Sequence, residues 1–314
     1  MIILRFTHLF GPGCWQWVAF GFGLLLVVGS VQAQELEPRA YSPSPTGYNI
    51  VVVADTYSTG DVTFDPSLPV TDAKANINLS ALGYVRTLGL AGRSASAGFV
   101  LPYVRGDLDG NYLNEPTSVY RSGVGDPRLR LAVNLMGAPA MTPEEFVKRQ
   151  PATLLGASLA ISAPLGQYDP AKLVNIGTNR WGIKPELGLS RAFGRWTLEG
   201  VAGAWFYTDN TDFKNGKTRS QEPISSLQWH VIYTFRPRMW LALDANYFYG
   251  GRTSIDGKEN NDVQRNSRMG VTFALPITRE QSLKFAYSQG AITNIGANFK
   301  SFGVAWQCAW RDRR

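Results

Sequence analysis

The chain has 314 residues, of which 44% are hydrophobic, 12% aromatic and 18% charged, and its formal net charge is +7. A mean hydropathy of −0.13 and the lack of an internal apolar run of about 18 residues exclude a helical membrane bundle. With 2 Cys and 2 His, a disulfide-stapled scaffold and a multi-Cys metal site are excluded. The basic residues form no blocks, so nucleic acid is not an expected partner.

The first 33 residues have the layout of a secretory signal peptide. Arg5 is their only formal charge, an apolar run is densest over residues 18–28, and a small-residue cleavage pattern ends at Ala33. This order of positive charge, apolar core and cleavage site is typical of export signals. We therefore predict a cleaved signal peptide at 1–33, an N-terminal periplasmic or plug segment at 34–46, and a β-barrel at 47–314.

The mature chain predicts an all-β fold. Segments that alternate apolar and polar residues recur between clusters of Gly, Asn, Asp and Pro. Most reach the roughly ten residues that cross a bilayer at a 45° tilt, whereas strands of soluble proteins average about five or six. The predicted strands are 47–57, 73–87, 94–105, 124–135, 153–163, 180–192, 195–207, 222–235, 239–249, 265–276, 281–289 and 299–310.

The connections between these strands alternate in length, which favours a membrane barrel. Short periplasmic turns and long outer loops are the rule in transmembrane β-barrels. One connection, 136–152, is long where a turn is expected, and its sequence predicts a brief helix over 143–149. The long loops are predicted at 58–72, 106–123, 164–179, 208–221, 250–264 and 290–298. We therefore predict a transmembrane antiparallel β-barrel of about twelve strands in the bacterial outer membrane.

Strand faces predict which side chains line the lumen. In most strands one face is apolar, for lipid, and the other is polar; over 73–87 we expect Leu79 and Ala81 to face lipid, with Ala75 and Ile77. The predicted pore-lining residues are Lys74, Arg128, Arg130, Lys184, Glu186, Glu199, His230, Asp244, Arg268 and Lys284, with Asp55, Arg86, Asp126 and Arg180 placed inside by the same reasoning. These charges either pair across a narrow lumen and close it or line a hydrated path biased toward anions or polarised ligands.

Outward aromatic side chains are expected in two belts, because amphipathic rings favour both interfaces of a bilayer. The outer belt is predicted at Tyr103, Trp181, Phe206, Tyr247, Tyr249 and Tyr287, and the periplasmic belt at Tyr48, Trp196, Tyr233, Phe235 and Trp310.

No motif for nucleotide binding or zinc hydrolysis is present in the sequence. Ser226 and His230 share a predicted strand face, but four strand residues span about 13 Å, which is too far for a hydrogen bond. We therefore predict no catalytic, cofactor or metal site and no enzymatic activity. An outer-membrane enzyme that acts on lipids stays open as an alternative only if a nucleophile lies within reach of His230.

The segment 34–46 is expected to lie at the periplasmic mouth and partly fill the lumen. Pro38, Pro43 and Pro45 disfavour a regular strand or helix there, and Glu37 and Arg39 are able to pair with lumenal charges. The competing interpretation is a disordered N-terminus.

Three stretches resemble a known family: 35–52 (ELEPRAYSPSPTGYNIVV), 123–137 (GVGDPRLRLAVNLMG) and 173–210 (LVNIGTNRWGIKPELGLSRAFGRWTLEGVAGAWFYTDN). They resemble the family called putative MetA-pathway of phenol degradation. The resemblance implies an outer-membrane barrel related in outline to hydrophobic-substrate channels and linked to breakdown of aromatic compounds, and it carries over no ligand or catalytic residue.

The sequence and the resemblance together predict a channel for passive uptake of small, aromatic or hydrophobic compounds. The expected partners are outer-membrane lipids, such a small-molecule substrate, and the barrel-assembly machinery for insertion. The alternative is a non-transporting barrel with a structural or surface-interaction role.

Overall fold

The computed structural model describes residues 36–63, 70–172, 174–214 and 216–312, and the predicted signal peptide at 1–33 lies outside them. Strands make up most of the described chain. The elements in chain order are β1 (Tyr48–Thr63), β2 (Val70–Leu90), β3 (Arg93–Tyr112), β4 (Glu115–Val124), β5 (Arg128–Met136), α1 (Pro143–Lys148), β6 (Leu154–Ser162), β7 (Gly182–Phe193), β8 (Trp196–Tyr207), β9 (Asn210–Phe213), β10 (Lys217–Gln221), β11 (Ile224–Arg236), β12 (Met239–Gly250), β13 (Thr253–Ile255), β14 (Lys258–Glu259), β15 (Gln264–Pro276), β16 (Gln281–Ile292) and β17 (Gly296–Arg311).

Twelve antiparallel strand positions close into one barrel. β1 pairs with β17 along its whole length, from Tyr48 opposite Arg311 to Thr63 opposite Gly296. The fourth position consists of two pieces, because β4 and β5 both pair with β3 and are separated at residues 125–127. Closure gives the backbone groups of the wall their partners within the sheet, as lipid requires. The prediction of a twelve-stranded transmembrane barrel is confirmed.

The outer surface of this barrel is apolar. In β7, Ile183, Leu187 and Leu189 are 41–54% exposed, whereas the alternating Lys184 and Glu186 are buried. Because side chains alternate between the two faces of a strand, the exposed set points outward and the buried set into the lumen. A closed barrel with such an exterior is soluble only in a bilayer, so this protein resides in the bacterial outer membrane.

The expected aromatic residues lie on this outer surface. Trp181, Phe206 and Tyr249 are exposed near the ends of strands that lead to the long loops. At the opposite rim, Tyr233 makes edge-to-face contacts with Trp196 and Phe235, with ring centroids 4.9 and 5.0 Å apart. Rings at both strand ends anchor the barrel at the two membrane interfaces.

The described residues of two predicted long loops, 58–63 and 70–72 of the first and 106–123 of the second, are largely strand. β3 and β4 stay paired from Gly106 opposite Arg121 to Tyr112 opposite Glu115. The two-residue turn between them has a positive φ at both positions, as a tight hairpin requires. These hairpins extend beyond the apolar band, so both of their faces meet water. Their sequence therefore lacks the alternation that identified the other strands.

The lumenal face of β2 is the reverse of the predicted one. Leu79 and Ala81 are buried in the lumen, whereas Leu82 and Tyr84 on the other face are 54% and 38% exposed. Lys74 lies on the same outer face and is exposed, so the prediction that it lines the pore is wrong. Polarity is a poor guide here because the outer face of β2 carries Asn, Ser and Lys near the extended hairpins.

Asp55 and Arg86 also lie on the outer face, contrary to the prediction. The Asp55 carboxylate accepts hydrogen bonds from Asn78 Nδ2 at 2.8 Å and Ser80 Oγ at 2.7 Å on β2. Arg86 forms an exposed ion pair with Asp312 at 2.5 Å, at the periplasmic rim. Their polar partners on neighbouring strands, rather than a lumen, satisfy these charges.

The exceptional connection between β5 and β6 contains the predicted helix as α1. Thr142 caps it: the Thr142 hydroxyl accepts from the Glu145 N–H, and the Glu145 carboxylate accepts from the Thr142 N–H. This capping box, with Pro143 in the first turn, sets the start of the helix. Among the described residues no helix is long and apolar enough to span a membrane.

A second, four-stranded sheet, not predicted from the sequence, lies at the extracellular end. β9, β10, β13 and β14 pair in the order β14-β13-β10-β9. They come from the loop between β8 and β11 and the loop between β12 and β15. These two loops therefore form one ordered sheet at the extracellular end of the barrel.

Leu187→Arg should destabilise the barrel, because it places a charge near the middle of the lipid-facing side of β7. We expect a loss of about 2–4 kcal/mol in the free energy of unfolding, measured by urea titration in lipid vesicles. Leu165→Arg, at a 74% exposed loop residue, is the matched control and should leave the free energy unchanged. Equal stability of the two variants would contradict the assigned membrane position.

Candidate functional site

The lumen has two walls of different chemistry. One wall is charged and runs from β5 through β8, β11 and β12 to β16, and the other is apolar and runs from β17 through β1 and β2 to β3. Nine of the ten predicted pore-lining residues face the lumen from the charged wall: Arg128, Arg130, Lys184, Glu186, Glu199, His230, Asp244, Arg268 and Lys284.

Glu186 is the centre of a charge cluster on β5, β6 and β7. Lys184 Nζ lies 2.8 Å from Glu186 Oε1, and Arg130 Nη2 lies 3.9 Å from Glu186 Oε2. Ser158 Oγ donates to the same carboxylate at 3.3 Å and accepts from Arg130 at 3.1 Å. The cluster thus holds two cations on one carboxylate, which leaves this part of the lumen positive.

His230 lies in a hydrogen-bonded row across β11, β12 and β15. Its Nδ1 is 2.7 Å from Asp244 Oδ1, and the Thr272 hydroxyl donates to Asp244 Oδ2 at 2.7 Å. His230 and Asp244 are both buried. Neighbouring strands thus supply a partner for His230 that the sequence analysis missed, because it considered only residues on the same strand.

Arg268 and Lys284 complete the charged wall. Arg268 donates to Ser288 Oγ at 3.1 Å, to the Phe299 carbonyl at 2.7 Å and to Ser301 Oγ at 2.9 Å, which ties β15 to β16 and β17. Lys284 lies over the Trp240 ring at 5.8 Å. Both cations are therefore held at the boundary where the charged wall meets the apolar one.

The apolar wall was not predicted. Its lumenal side chains come from alternate positions on four neighbouring strands, and most of them are apolar. The apolar ones are Ile50, Val52 and Ala54 on β1, Ala75, Ile77, Leu79, Ala81 and Val85 on β2, Val100, Pro102 and Val104 on β3, and Ala305 and Ala309 on β17. Ser58 and Ser301 on the same face bond to each other at 2.8 Å. Apolar side chains thus follow this wall from the periplasmic to the extracellular half.

Residues 36–46 lie inside the barrel against the charged wall. The Glu37 N–H donates to Gln228 Oε1 at 3.1 Å, and the Arg39 N–H donates to Glu199 Oε2 at 2.6 Å. The Arg39 guanidinium donates to Thr234 Oγ1 at 2.6 Å. These contacts join the segment to β8 and β11, far away in the sequence.

Tyr41 occupies a slot made by two glycines. Gly156 on β6 and Gly188 on β7 are direct partners in the sheet. A Cβ added to either one would lie 2.1 Å from the Tyr41 ring. The Tyr41 hydroxyl is 3.0 Å from Ser158 Oγ, and the Arg130 guanidinium lies over the ring at 5.5 Å. Only glycine at both positions gives the ring this space.

The last residues of the segment contact the connection that carries α1. The Thr46 N–H donates to the Met141 carbonyl at 2.9 Å, and the Gly47 N–H donates to the Thr87 carbonyl at 3.0 Å. The Thr87 hydroxyl also donates to the Pro45 carbonyl at 2.7 Å. The long 136–152 connection thus packs on the N-terminal segment at the periplasmic mouth.

Within the described part of the chain, no group of three or more His, Cys, Asp or Glu side chains is arranged to hold a metal ion. His230 Nε2 has no hydrogen-bond partner among the described residues, so no nucleophile there is bonded to it.

Comparison with known proteins identifies one family and one close fold. A family model described as "Putative MetA-pathway of phenol degradation" matches residues 54–307. No curated protein matches the chain in sequence. Among solved structures, an outer membrane channel from Pseudomonas putida F1 is similar with a TM-score of 0.77 and 24% identity, over 88% of this chain and 100% of that one. This likeness shows a shared fold.

Two further solved structures are less similar. The transport unit of the autotransporter AIDA-I from Escherichia coli has a TM-score of 0.48 and 9% identity, over 85% of this chain and 90% of that one. A TodX monoaromatic hydrocarbon channel mutant has a TM-score of 0.48 and 12% identity, over 88% and 93%. Neither reaches a TM-score of 0.5, so neither carries weight for function.

Glu186→Gln should make the open channel more selective for anions, because Lys184 and Arg130 lose the carboxylate between them. The measurement is the reversal potential in a planar bilayer under a KCl gradient. Asp55→Asn is the matched control: it removes one carboxylate from the outer face and should leave the reversal potential unchanged. An equal shift in both variants would contradict the placement of Glu186 in the ion path.

Proposed function

Because this chain belongs to the family described as "Putative MetA-pathway of phenol degradation", we propose that it is a passive outer-membrane channel for small aromatic or hydrophobic compounds. The observation that carries the proposal is the apolar wall of β17, β1, β2 and β3. A strongly charged lumen favours ions and water. Aromatic or hydrophobic compounds that contact a continuous apolar strip do not displace water from the charged wall.

The partners follow from this role. Lipids surround the exterior band, the substrate is a small molecule, and the barrel-assembly machinery inserts the closed sheet. Passive passage through a channel needs no cofactor and no covalent step, so we propose no enzymatic activity for this protein. In that view the His230–Asp244 pair has a structural role: it fixes the charged wall across β11 and β12.

Uptake of a single aromatic compound tests the function. Cells that carry the gene should accumulate toluene faster than cells that lack it. Ala81→Asp, which places a charge on the apolar wall, should lower that uptake several-fold because the compound must leave an apolar surface. Ala81→Val adds similar volume without charge and should retain most of the uptake.

Heat-modifiable mobility on a gel shows that each variant forms the barrel. Equal toluene uptake by wild type, Ala81→Asp and gene-deleted cells would exclude the channel function for this compound class.

The N-terminal segment is proposed to be a plug that limits conductance. Its support is the set of contacts of Arg39 and Tyr41 with the charged wall and the glycine slot. Many weak contacts of this kind hold a segment in place yet allow it to leave. The contacts of Thr46 and Gly47 with the mouth would then keep a displaced plug attached to the barrel.

Gly188→Ala should raise single-channel conductance in planar bilayers, because its Cβ would expel the Tyr41 ring from the slot. Gly200→Ala on the neighbouring β8, where a Cβ meets nothing within 4 Å, is the matched control and should behave as wild type. Deletion of residues 35–44 gives the conductance of the barrel without a plug. If the deletion leaves conductance unchanged, the segment is only a tail.

A further inference from the structure

Cations surround two stacked aromatic rings at the extracellular end of the lumen. Trp205 and Tyr207 on β8 stack with ring centroids 6.0 Å apart and an interplanar angle of 8°. Arg128 and Lys184 lie over the Trp205 ring at 5.6 and 5.7 Å, and Arg180 lies over the Tyr207 ring at 4.1 Å. The faces of both rings are thus occupied by positive charge, which orients these side chains in advance.

The nearby carboxylates Glu186 and Asp126 already have partners of their own. Glu186 forms its short ion pair with Lys184. The Asp126 carboxylate accepts from the Gly166 N–H and from the N–H and hydroxyl of Thr178, so loop groups use its oxygens. The guanidinium of Arg180 donates instead to Gln221, a neutral side chain. Arg128, Arg180 and Lys184 thus lie beside two carboxylates whose oxygens already accept from other groups.

Arg180 lies close enough to Arg219 on β10 for the two guanidinium groups to repel each other. Asp126 and Asp209 attract Arg180, but their effect is smaller than the effect of burial, which disfavours its charged form. Burial lowers the pKa of Arg180 to about 10, and burial also lowers the pKa of Arg219, against the attraction of Asp262. An anion near both guanidinium groups would stabilise their charged forms against burial.

Two buried donors in the cluster have no acceptor. Arg180 is 8% exposed and Trp205 is fully buried, yet Arg180 Nη1 and Trp205 Nε1 find no hydrogen-bond partner among the described residues. Buried donors in native proteins are almost always paired, and exceptions point to a missing ion, water or ligand. Here the surrounding charge favours an acceptor that is negative.

The surroundings of the rings favour a ligand with an apolar part. Trp205 packs in one cluster with Ala160, Ile224 and Phe248, and Tyr207 packs against it. Gly182 opposite Tyr207 packs directly against both rings, since an added Cβ would lie 3.2 Å from the Trp205 ring and 3.4 Å from the Tyr207 ring. A bare inorganic anion would use the cations but gain nothing from this apolar and aromatic surface.

We propose that this cluster is a binding site for a small aromatic carboxylate, whose carboxylate accepts from Arg180 Nη1 and Trp205 Nε1 and whose ring packs beside Tyr207. The inference rests on the proposed channel function and narrows its substrate class to compounds that join an apolar ring to one negative charge. The cations would hold the carboxylate of the ligand, and the ligand's aromatic ring would then move along the apolar wall.

Isothermal titration of the purified mature protein in detergent tests the site, with benzoate as the probe. Benzoate should bind to the wild type, and Arg180→Gln should weaken binding at least tenfold. Arg265→Gln is the matched control, because Arg265 lies over the Tyr249 ring at 5.8 Å but on the outer face, and it should bind benzoate as the wild type does. Benzyl alcohol, acetate and inorganic phosphate should each bind much more weakly than benzoate.

Tyr207→Leu provides a second variant that leaves every charge in place. It should weaken benzoate binding while the weak affinity for acetate stays unchanged, and the heat-modifiable gel band reports whether each variant is folded. No benzoate binding, equal binding of acetate or phosphate, or benzoate affinity that is insensitive to Arg180→Gln would overturn the site. Toluene uptake into vesicles is measured on the same samples: if it persists without benzoate binding, only this inference fails, and if it is absent, the channel function fails.

Discussion

Pairing between β1 and β17 is the constraint on which the other features of this protein depend. Once the first strand of the sheet pairs with its last, no open edge of the wall is left to lipid, and every strand has an inside and an outside. The alternation of side chains then divides the chain into a lipid-facing band and a lumen. Charges such as Lys184 and Glu186 are tolerated within the membrane because closure puts them on the inner side.

The same closure gives the lumen two chemically distinct walls. Ion pairs and hydrogen bonds join the strands of the charged wall laterally, as His230 with Asp244 and Glu186 with Arg130 illustrate. The described lumenal face of the apolar wall carries no ion pair and is mostly aliphatic, with a hydrogen bond between Ser58 and Ser301 as its link between β1 and β17. The segment 36–46 bonds to the charged wall through Arg39 and Tyr41. A narrow barrel thus combines a surface that holds water and a peptide segment with a surface that favours apolar contact.

Strand number and membrane class were predictable because they depend on local periodicity, which a single sequence displays. The lumenal polar residues on β5, β7 and β11 were predictable for the same reason, since the two faces of each strand differ clearly. β2 was not, because Leu79 faces the lumen while Lys74 faces outward, and polarity alone does not say which face is inside. The slot for Tyr41 and the ring cluster at Trp205 depend on register between strands, and no local pattern reports register.

The position of the N-terminal segment has a consequence for the order of assembly. It directly precedes β1, and one edge of β1 pairs with β17, at the far end of the sequence. Contacts of such sequence separation carry the largest entropy of loop closure and are expected to form late. The gap between Gly156 and Gly188 is open to Tyr41 from the side only before that event, while the wall is incomplete. In that order of events, the sheet closes around a segment that is already in place, and Tyr41 contacts β6 and β7 before β1 pairs with β17.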